Sequence, residues 1–315
     1  MSPNGFRRIT PWLRQLTLRL ATLVLVLGVV FATVAVLPGG GAGAVLGRDA
    51  TPDRIAAYES AHGMDRPLPL RFWSWLTGLL GGDLGTSLRG TAINEMLATK
   101  FPNTLLLGGT ALALTTIAAI TVGAWWFLRP KGVARLLDPI TTSAVAVPEF
   151  VVATMLVFVF ALGLGWLPAA TVTDATGTPD VASLVLPVLA LAIPQSAWNI
   201  RVTRAALGEA ASLPHVHAAE LDGLPPRHIL IRHVLPVAAP TIAASLATSV
   251  GMLLGGTLVV ESVFNYPGLG SVLAGSVTDR DPAVVAAVVA LAGTAITGVL
   301  LAADLVRAWS LRGQL

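Results

Sequence analysis

The chain contains no cysteine. That excludes a disulfide framework, a thiolate metal site and a cysteine nucleophile. It is also poor in charge. Only 12% of its 315 residues are Asp, Glu, Lys or Arg, where an average soluble protein carries about 25%. With 54% hydrophobic residues and a mean hydropathy of +0.76, neither an ordinary soluble enzyme nor a disordered chain fits. Length alone suggests two soluble domains; the hydropathy points instead to one polytopic membrane domain. Lysine is nearly absent, two residues against 18 arginines, a bias that says nothing about function. The formal net charge of +3 does not mark a nucleic-acid surface, because the basic residues lie between apolar runs rather than clustered on one face.

A bilayer-crossing helix needs about 20 mostly apolar residues. Six segments qualify: Leu20 to Leu37, Thr104 to Leu128, Pro139 to Leu162, Val181 to Ile200, Val234 to Val260, and Ala283 to Ala303. All are expected to be helices, since lipid offers no other open-ended way to satisfy backbone polar groups. The first segment follows Arg7, Arg8, Arg14 and Arg19 and precedes small residues. Its apolar core is longer than the 7–15 residues or so of a cleaved signal, so a retained span is expected. The resulting division is a cytoplasmic segment 1–19, a first transmembrane helix 20–37, an extracytoplasmic loop 38–103, a core transmembrane domain 104–307 that includes the cytoplasmic stretch 201–236, and a cytoplasmic tail 308–315.

Orientation follows from the basic residues. With the N-terminus inside, cytoplasmic segments hold 13 Lys and Arg and outer segments 7, six of the seven in one long loop where the positive-inside rule is weak. Both termini are therefore expected in the cytoplasm. Trp12, Trp125, Trp126, Trp166, Trp198 and Trp309 fall near span ends and read as interfacial anchors. In the long loop, Thr51 and Pro52 mark a helix start and Gly63 a stop. Leu70, Phe72, Trp73, Leu76, Leu79 and Leu80 then make a mostly apolar helix for the outer interface.

The stretch 201–236 between the fourth and fifth spans is cytoplasmic in this scheme. Pro214 can open a short helix, Gly223 can close it, and Pro225-Pro226 turns the chain. Such a helix has no packing task inside the bilayer and is placed to receive force from a soluble partner. Ala218-Ala219 followed by Gly223, with Leu235-Pro236 twelve residues beyond, resembles the EAA loop of bacterial ABC importer permeases. His217 stands where that family has Glu, and His233 where it has Ile. Further words occur in the order found in peptide-importer permeases: Asp65-Arg66-Pro67, Gly82-Asp83-Leu84-Gly85-Thr86-Ser87, Pro102-Asn103-Thr104, Gly165-Trp166-Leu167-Pro168, Glu261-Ser262-Val263-Phe264, Pro267-Gly268-Leu269-Gly270 and Arg280-Asp281. Leu37-Pro38-Gly39-Gly40 departs from the usual Pro-Gly-Asp-Pro. The whole is similar to the first permease subunit of the dipeptide/oligopeptide (peptide/nickel) family.

That resemblance implies an all-α membrane protein of six transmembrane helices with a long outer loop and a cytoplasmic coupling helix. It implies a multi-pass protein of the bacterial inner membrane, working by alternating access. Its partners would be a second homologous permease subunit, two cytoplasmic ABC ATPase subunits or domains, an extracytoplasmic substrate-binding protein and the lipid bilayer, with no nucleic acid. His217, Ala218, Ala219, Glu220, Gly223, Leu235 and Pro236 would couple to the ATPase, and Glu149 and Glu261 are the candidates for the translocation path. The chain has no Gly-x-x-x-x-Gly-Lys-Ser/Thr loop. It is therefore expected to be no enzyme and to bind no cofactor, with ATP and magnesium held by the partner ATPases.

Rival readings rest on single features. His215, His217, His228 and His233 share one loop, but no metal-ligand spacing accompanies them, so no metal is expected. Glu149 is the one acid deep in a span; it meets either a substrate amine or a neighbouring helix. Gly251 and Gly255 could let two helices approach. An intramembrane protease would need a carboxylate pair, a Ser-His dyad or a zinc motif, and the spans contain none. An ion-coupled secondary transporter would need several midplane charges and internal repeats, and only Glu149 fits. Nickel chelates or glutathione are the alternative cargoes.

Overall fold

Long apolar runs without water must close their own backbone hydrogen bonds, and helices do so within one segment. The computed structural model describes residues 6–38, 40–47, 49–173 and 177–312. The start of segment 1–19, Gly39, Arg48, 174–176 and the last three residues of the 308–315 tail lie outside the described residues. Among the described residues there is no strand, only two isolated bridges, Thr86 to Ala92 and Thr173 to Pro179. The helices are α1 (Phe6–Ala35), α2 (Gly41–Leu46), α3 (Pro52–Ala61), α4 (Leu68–Leu80), α5 (Ile93–Leu128), α6 (Pro130–Ala146), α7 (Glu149–Leu156), α8 (Val181–Ala211), α9 (Pro214–Leu221), α10 (Pro226–Ile229), α11 (Leu235–Val263), α12 (Leu269–Thr278) and α13 (Pro282–Arg312). Wide π-helical turns extend α7 (Val157–Gly163) and join α10 to α11 (Leu230–Val234).

Five of these stretches are long and apolar enough to cross a membrane: Leu16–Ala35, Ile93–Leu128, Val181–Ala211, Pro226–Val263 and Pro282–Ala302. A sixth is a broken pair, Leu137–Ala146 and Glu149–Gly163, bent by 104°. The sequence predicts a single apolar span there, with Pro148 the place where its helix can turn irregular. The break has a local cause: Pro148 has no N–H to give, and its ring forces Val147 out of the helical region, to φ −88°, ψ 121°. Glu149 is therefore the first residue of α7 rather than a group ten residues into a continuous helix. Helices α5 and α8 run past their predicted spans, α5 starting at Ile93 and α8 ending at Ala211, because helix continues wherever water or capping residues can take over from lipid, whereas α1 ends at Ala35, short of the predicted Leu37.

The chain forms two compact units, Met1–Phe101 with Ser271–Thr297, and Pro102–Gly270 with Gly298–Leu315. Residues 271–297 group with the N-terminal region. In the first unit, α4 packs on the end of α1 through Phe31, Phe72 and Trp75, with ring centroids 5.6 to 6.1 Å apart. The loop 84–92 is tied to the turn before α13. Asp281 caps α13 by accepting from the N–H groups of Ala283 (3.1 Å) and Val284 (3.2 Å), with Pro282 at the first helical position. Its other oxygen accepts from Leu88 N–H at 2.6 Å. Arg89 pairs with Asp279 beside it.

In the second unit, α8 lies along α11 and against α6 and α7. Leu107, Ala111, Ala153, Leu186, Ala190, Leu253, Val260 and Phe264 form one apolar core. A buried polar clamp ties α8 to α11: Asn199 donates to Ser249 Oγ (2.7 Å) and accepts from Ser245 (2.8 Å). Trp126, expected at the interface, is fully buried, with the Arg204 guanidinium 4.1 Å from its ring centroid. Trp125, Trp166 and Trp198 remain exposed.

Candidate coupling site

The second unit contains a second core, beside the short helix α9. Val216 is 0% and Ala219 5% exposed. They are three residues apart and so lie on one helix face. That face packs against Ala206, Leu207, Ala210, Leu230 and Val234. His215, His217, Ala218, Glu220 and Leu221 are exposed, Leu221 at 77%.

Both ends of α9 are set by local chemistry. Pro214 occupies its first turn, with Leu213 extended before it. At the other end Leu224 N–H donates to Ala219 O (3.2 Å) and Gly223 N–H to Glu220 O (3.0 Å). This is a Schellman closure with Gly223 in the left-handed region at φ +74°. Leu224 then packs on the same core. Space around Gly223 is open. Pro225 and Pro226 reverse the chain into α10, and the wide turn at Leu230–Val234 precedes Pro236, which cannot donate the bond an α-helix would need there.

The structure therefore separates the seven residues singled out in the sequence. His217, Ala218, Glu220 and Gly223 are exposed, with His217 Nδ1 3.5 Å from Glu220 Oε2, an ion pair when the imidazole is protonated. Ala219 faces inward and anchors the helix, because its 216/219 face is the one the core covers. Leu235 packs on that core, and Pro236 opens α11. Val216, the deepest anchor, escaped the sequence reading; its three-residue spacing from Ala219 was the available signal. The His233 ring lies 6.4 Å from that of His215 and 6.0 Å from that of His228. Among the described residues no group of three or more His, Asp or Glu is placed to hold a metal.

The two path candidates sit differently. Glu261 is fully buried. Its carboxylate accepts from Thr104 Oγ1 (2.7 Å) and from Gly270 N–H, while Thr104 Oγ1 accepts from Leu269 N–H (2.8 Å). Nearby Tyr266 donates to Asn103 O (2.8 Å) and Asn103 Nδ2 to Pro267 O (2.9 Å). Three of the sequence words thus meet in one hydrogen-bonded knot. Glu149 is half-buried at the start of α7 and makes no hydrogen bond or ion pair with a described residue. Its Oε1 would lie 3.1 Å from a Cβ at Gly256 on α11, as would Leu191 Cδ2. Gly256 is a close approach in α11; Gly255 faces open space.

Comparison with known proteins bears on both units. Residues 115–313 match the family described as "Binding-protein-dependent transport system inner membrane component", and residues 12–108 match its N-terminal companion. The glutathione transport system permease protein GsiC of Salmonella typhimurium is 31% identical over 283 residues, covering 89% of this chain and 90% of the relative. A probable peptide ABC transporter permease protein, y4tP of Sinorhizobium fredii, is 28% identical with the same coverage. Among solved structures, an inward-facing form of the MetNI methionine ABC transporter aligns at a TM-score of 0.57 and 17% identity, over 68% of this chain and 96% of that chain. This last likeness concerns the fold alone.

Proposed function

Since the chain belongs to the inner-membrane components of binding-protein-dependent transport systems and is the multi-pass permease subunit of an ABC importer, we propose that its cargo is short peptides. Relatives named for peptide and for glutathione transport support this. Glutathione, itself a tripeptide, is the second reading. An importer of this kind works with an ATPase and a substrate-binding protein. In our reading two ATPase subunits and a second, homologous permease complete the assembly, and both termini lie in the cytoplasm. This chain hydrolyses no ATP; ATP and magnesium belong to the ATPases.

The observation that carries the coupling role is α9, pinned by Val216 and Ala219 and exposed along His217, Ala218, Glu220 and Leu221. ATP-driven closure of the ATPases displaces α9. The core that Val216 shares with Leu207 and Val234 passes that motion to α8 and α11, and the spans alternate between inward and outward openings. Gly223 and its open surroundings leave room for the ATPase surface. Glu149, beside Gly256 and without a hydrogen-bond or ion-pair partner among the described residues, meets the charged amine of the passing peptide. Glu261 shares that path assignment in the sequence reading; its buried knot supports a positioning task there, holding the turn 264–270.

Cargo is tested in proteoliposomes holding the full transporter and its binding protein. Labelled di- and tripeptides should accumulate with ATP, and unlabelled peptide should compete. Uptake of glutathione alone would overturn the peptide reading. Uptake driven by an ion gradient without ATP would restore the secondary-transporter alternative.

A further inference from the structure

The first unit contains a cavity of about 780 Å³ that the transport mechanism does not use. Phe31, one turn inside the end of the Leu16–Ala35 span, and Pro282 and Ala283, which open the Pro282–Ala302 span, all line it. It therefore lies where two spans leave the apolar layer, at the level of lipid headgroups. Its remaining wall comes from α4, the turn before it, the end of α3, and Thr86 and Leu88 of the loop 84–92. Phe31, Leu70 and Trp75 supply apolar surface; His62, Arg66 and Arg71 supply positive or protonatable groups.

The charges on this lining are unevenly satisfied. Asp281 has both carboxylate oxygens occupied by the backbone N–H groups of Leu88, Ala283 and Val284. Neither Arg66 nor Arg71 forms an ion pair with a described residue, and Arg71 reaches only the Met64 carbonyl, at 3.5 Å. Burial draws the Arg71 pKa down from its ordinary value, and the charge of Glu59 only partly opposes this. Two guanidinium groups on one cavity wall with no contacting carboxylate among the described residues can donate charge-assisted hydrogen bonds to an anionic ligand. The same helix leaves Leu70, Trp73 and Leu80 exposed by 61%, 64% and 82%. So much apolar surface beside the ends of two spans belongs in the membrane interface, where a tryptophan ring is also at home.

The geometry points to a site for an anionic phospholipid from the adjoining leaflet, its phosphate held by Arg66 and Arg71 and its glycerol and upper acyl chain against Phe31, Leu70 and Trp75. A free inorganic anion would use the arginines and leave the apolar wall wet. A zwitterionic lipid would set its own cation beside two guanidinium groups. The site needs neither the cargo nor the orientation assigned above, only that the two spans cross a bilayer.

The test is native mass spectrometry of the full chain in detergent, titrated with phosphatidylglycerol or with phosphatidylcholine. Wild type should retain phosphatidylglycerol preferentially. Arg66→Gln with Arg71→Gln should weaken that retention at least about tenfold, as expected for the loss of two charge-assisted contacts, while Arg54→Gln on α3, outside the cavity, should not. If the double variant does not fold, Arg66→Gln alone decides, since its side chain is exposed; it should lower retention several-fold. Equal retention of the two lipids by wild type, unchanged retention in the arginine variants, an equal loss in Arg54→Gln, or displacement of the lipid by millimolar inorganic phosphate would each overturn the proposal.

Discussion

At Gly256 and Gly270 the missing Cβ has two different consequences. A methyl at Gly256 would meet the far ends of Glu149 and Leu191 at 3.1 Å, and both can swing aside. At Gly270 it would meet the backbone of Leu258, with O at 2.6 Å and Cα at 2.8 Å, as well as the Glu261 carboxylate. Neither can yield without moving α11 or breaking the knot. Gly270→Ala should therefore destabilise by about 1–3 kcal/mol, as overpacking does, and Gly256→Ala by less. Thermal inactivation midpoints of the two purified variants check this, and the reverse order would refute it. The Glu149 proposal is also decided by one side chain. Glu149→Gln keeps the shape beside Gly256 and removes the charge. Uptake of peptides with a free amino terminus should fall, with amino-blocked analogues less affected and complex yield near normal. A collapse in yield with equal transport of both would make Glu149 a structural group. Neither glycine role was legible from spacing. Gly251 and Gly255 match the small-residue pattern, yet the neighbour that matters at Gly256 comes from α7, over 100 positions earlier in the chain. The Glu261 knot is hidden for the same reason: Thr104 and Glu261 are 157 residues apart, and sequence order does not carry that pairing.

Among the elements, α9 separates what holds it from what it offers. Val216→Ala removes about two buried methyl groups and should cost roughly 1–3 kcal/mol. It loosens the helix, so ATPase stimulation by loaded binding protein should drop although every exposed residue is unchanged. Gly223→Leu acts from the other side: it forces a branched side chain into φ +74°, at about 1–2 kcal/mol, and fills the open space a partner would enter. The spans should still insert, while stimulation is lost. Wild-type stimulation in both variants would leave α9 without a coupling role. The limits of α9 were readable because Pro214 and Gly223 act locally. Its buried face was not, since burial depends on α8 and the turn before α11. The broken third span shows a similar limit: an apolar run reports membrane depth and not direction, and only the Pro148 backbone restriction supplies the 104° bend.

The tie between loop 84–92 and the turn before α13 has its own pH signature. The Arg89 hydrogen bond and charge hold the Asp279 carboxyl below its ordinary pKa of 3.8, against a smaller effect of burial. A lowered folded pKa contributes stability that is complete above the unfolded value and is lost as pH falls through the folded one. Asp281 runs the other way: burial raises its pKa despite three backbone donors, so its contribution improves on mild acidification. Loosening of the loop through Asp279, read as protease cleavage near Arg89, should thus begin only below about pH 4, and Asp279→Asn should remove that low-pH onset. Cleavage that already rises between neutral pH and the ordinary carboxylate range would contradict this assignment.

For the whole molecule, the composition alone indicated a membrane protein, because spans of 20 apolar residues and basic loops between them are properties of a linear chain. The grouping of residues 271–297 with the N-terminal unit was not visible, since it comes from contacts such as Asp281 with Leu88, 193 positions apart. The central claim is that this permease is driven through α9 by a separate ATPase on the side opposite the long loop. Site-specific cross-linking in the assembled transporter tests it directly, because the chain has no cysteine of its own. Ala218→Cys on α9 and Ser60→Cys on α3, both at exposed positions, would each be treated with a short bifunctional reagent. The account predicts a product with the ATPase from Ala218→Cys, altered in yield by ATP, and none from Ser60→Cys. A product from Ser60→Cys, or none from Ala218→Cys in complexes that still transport, would contradict it.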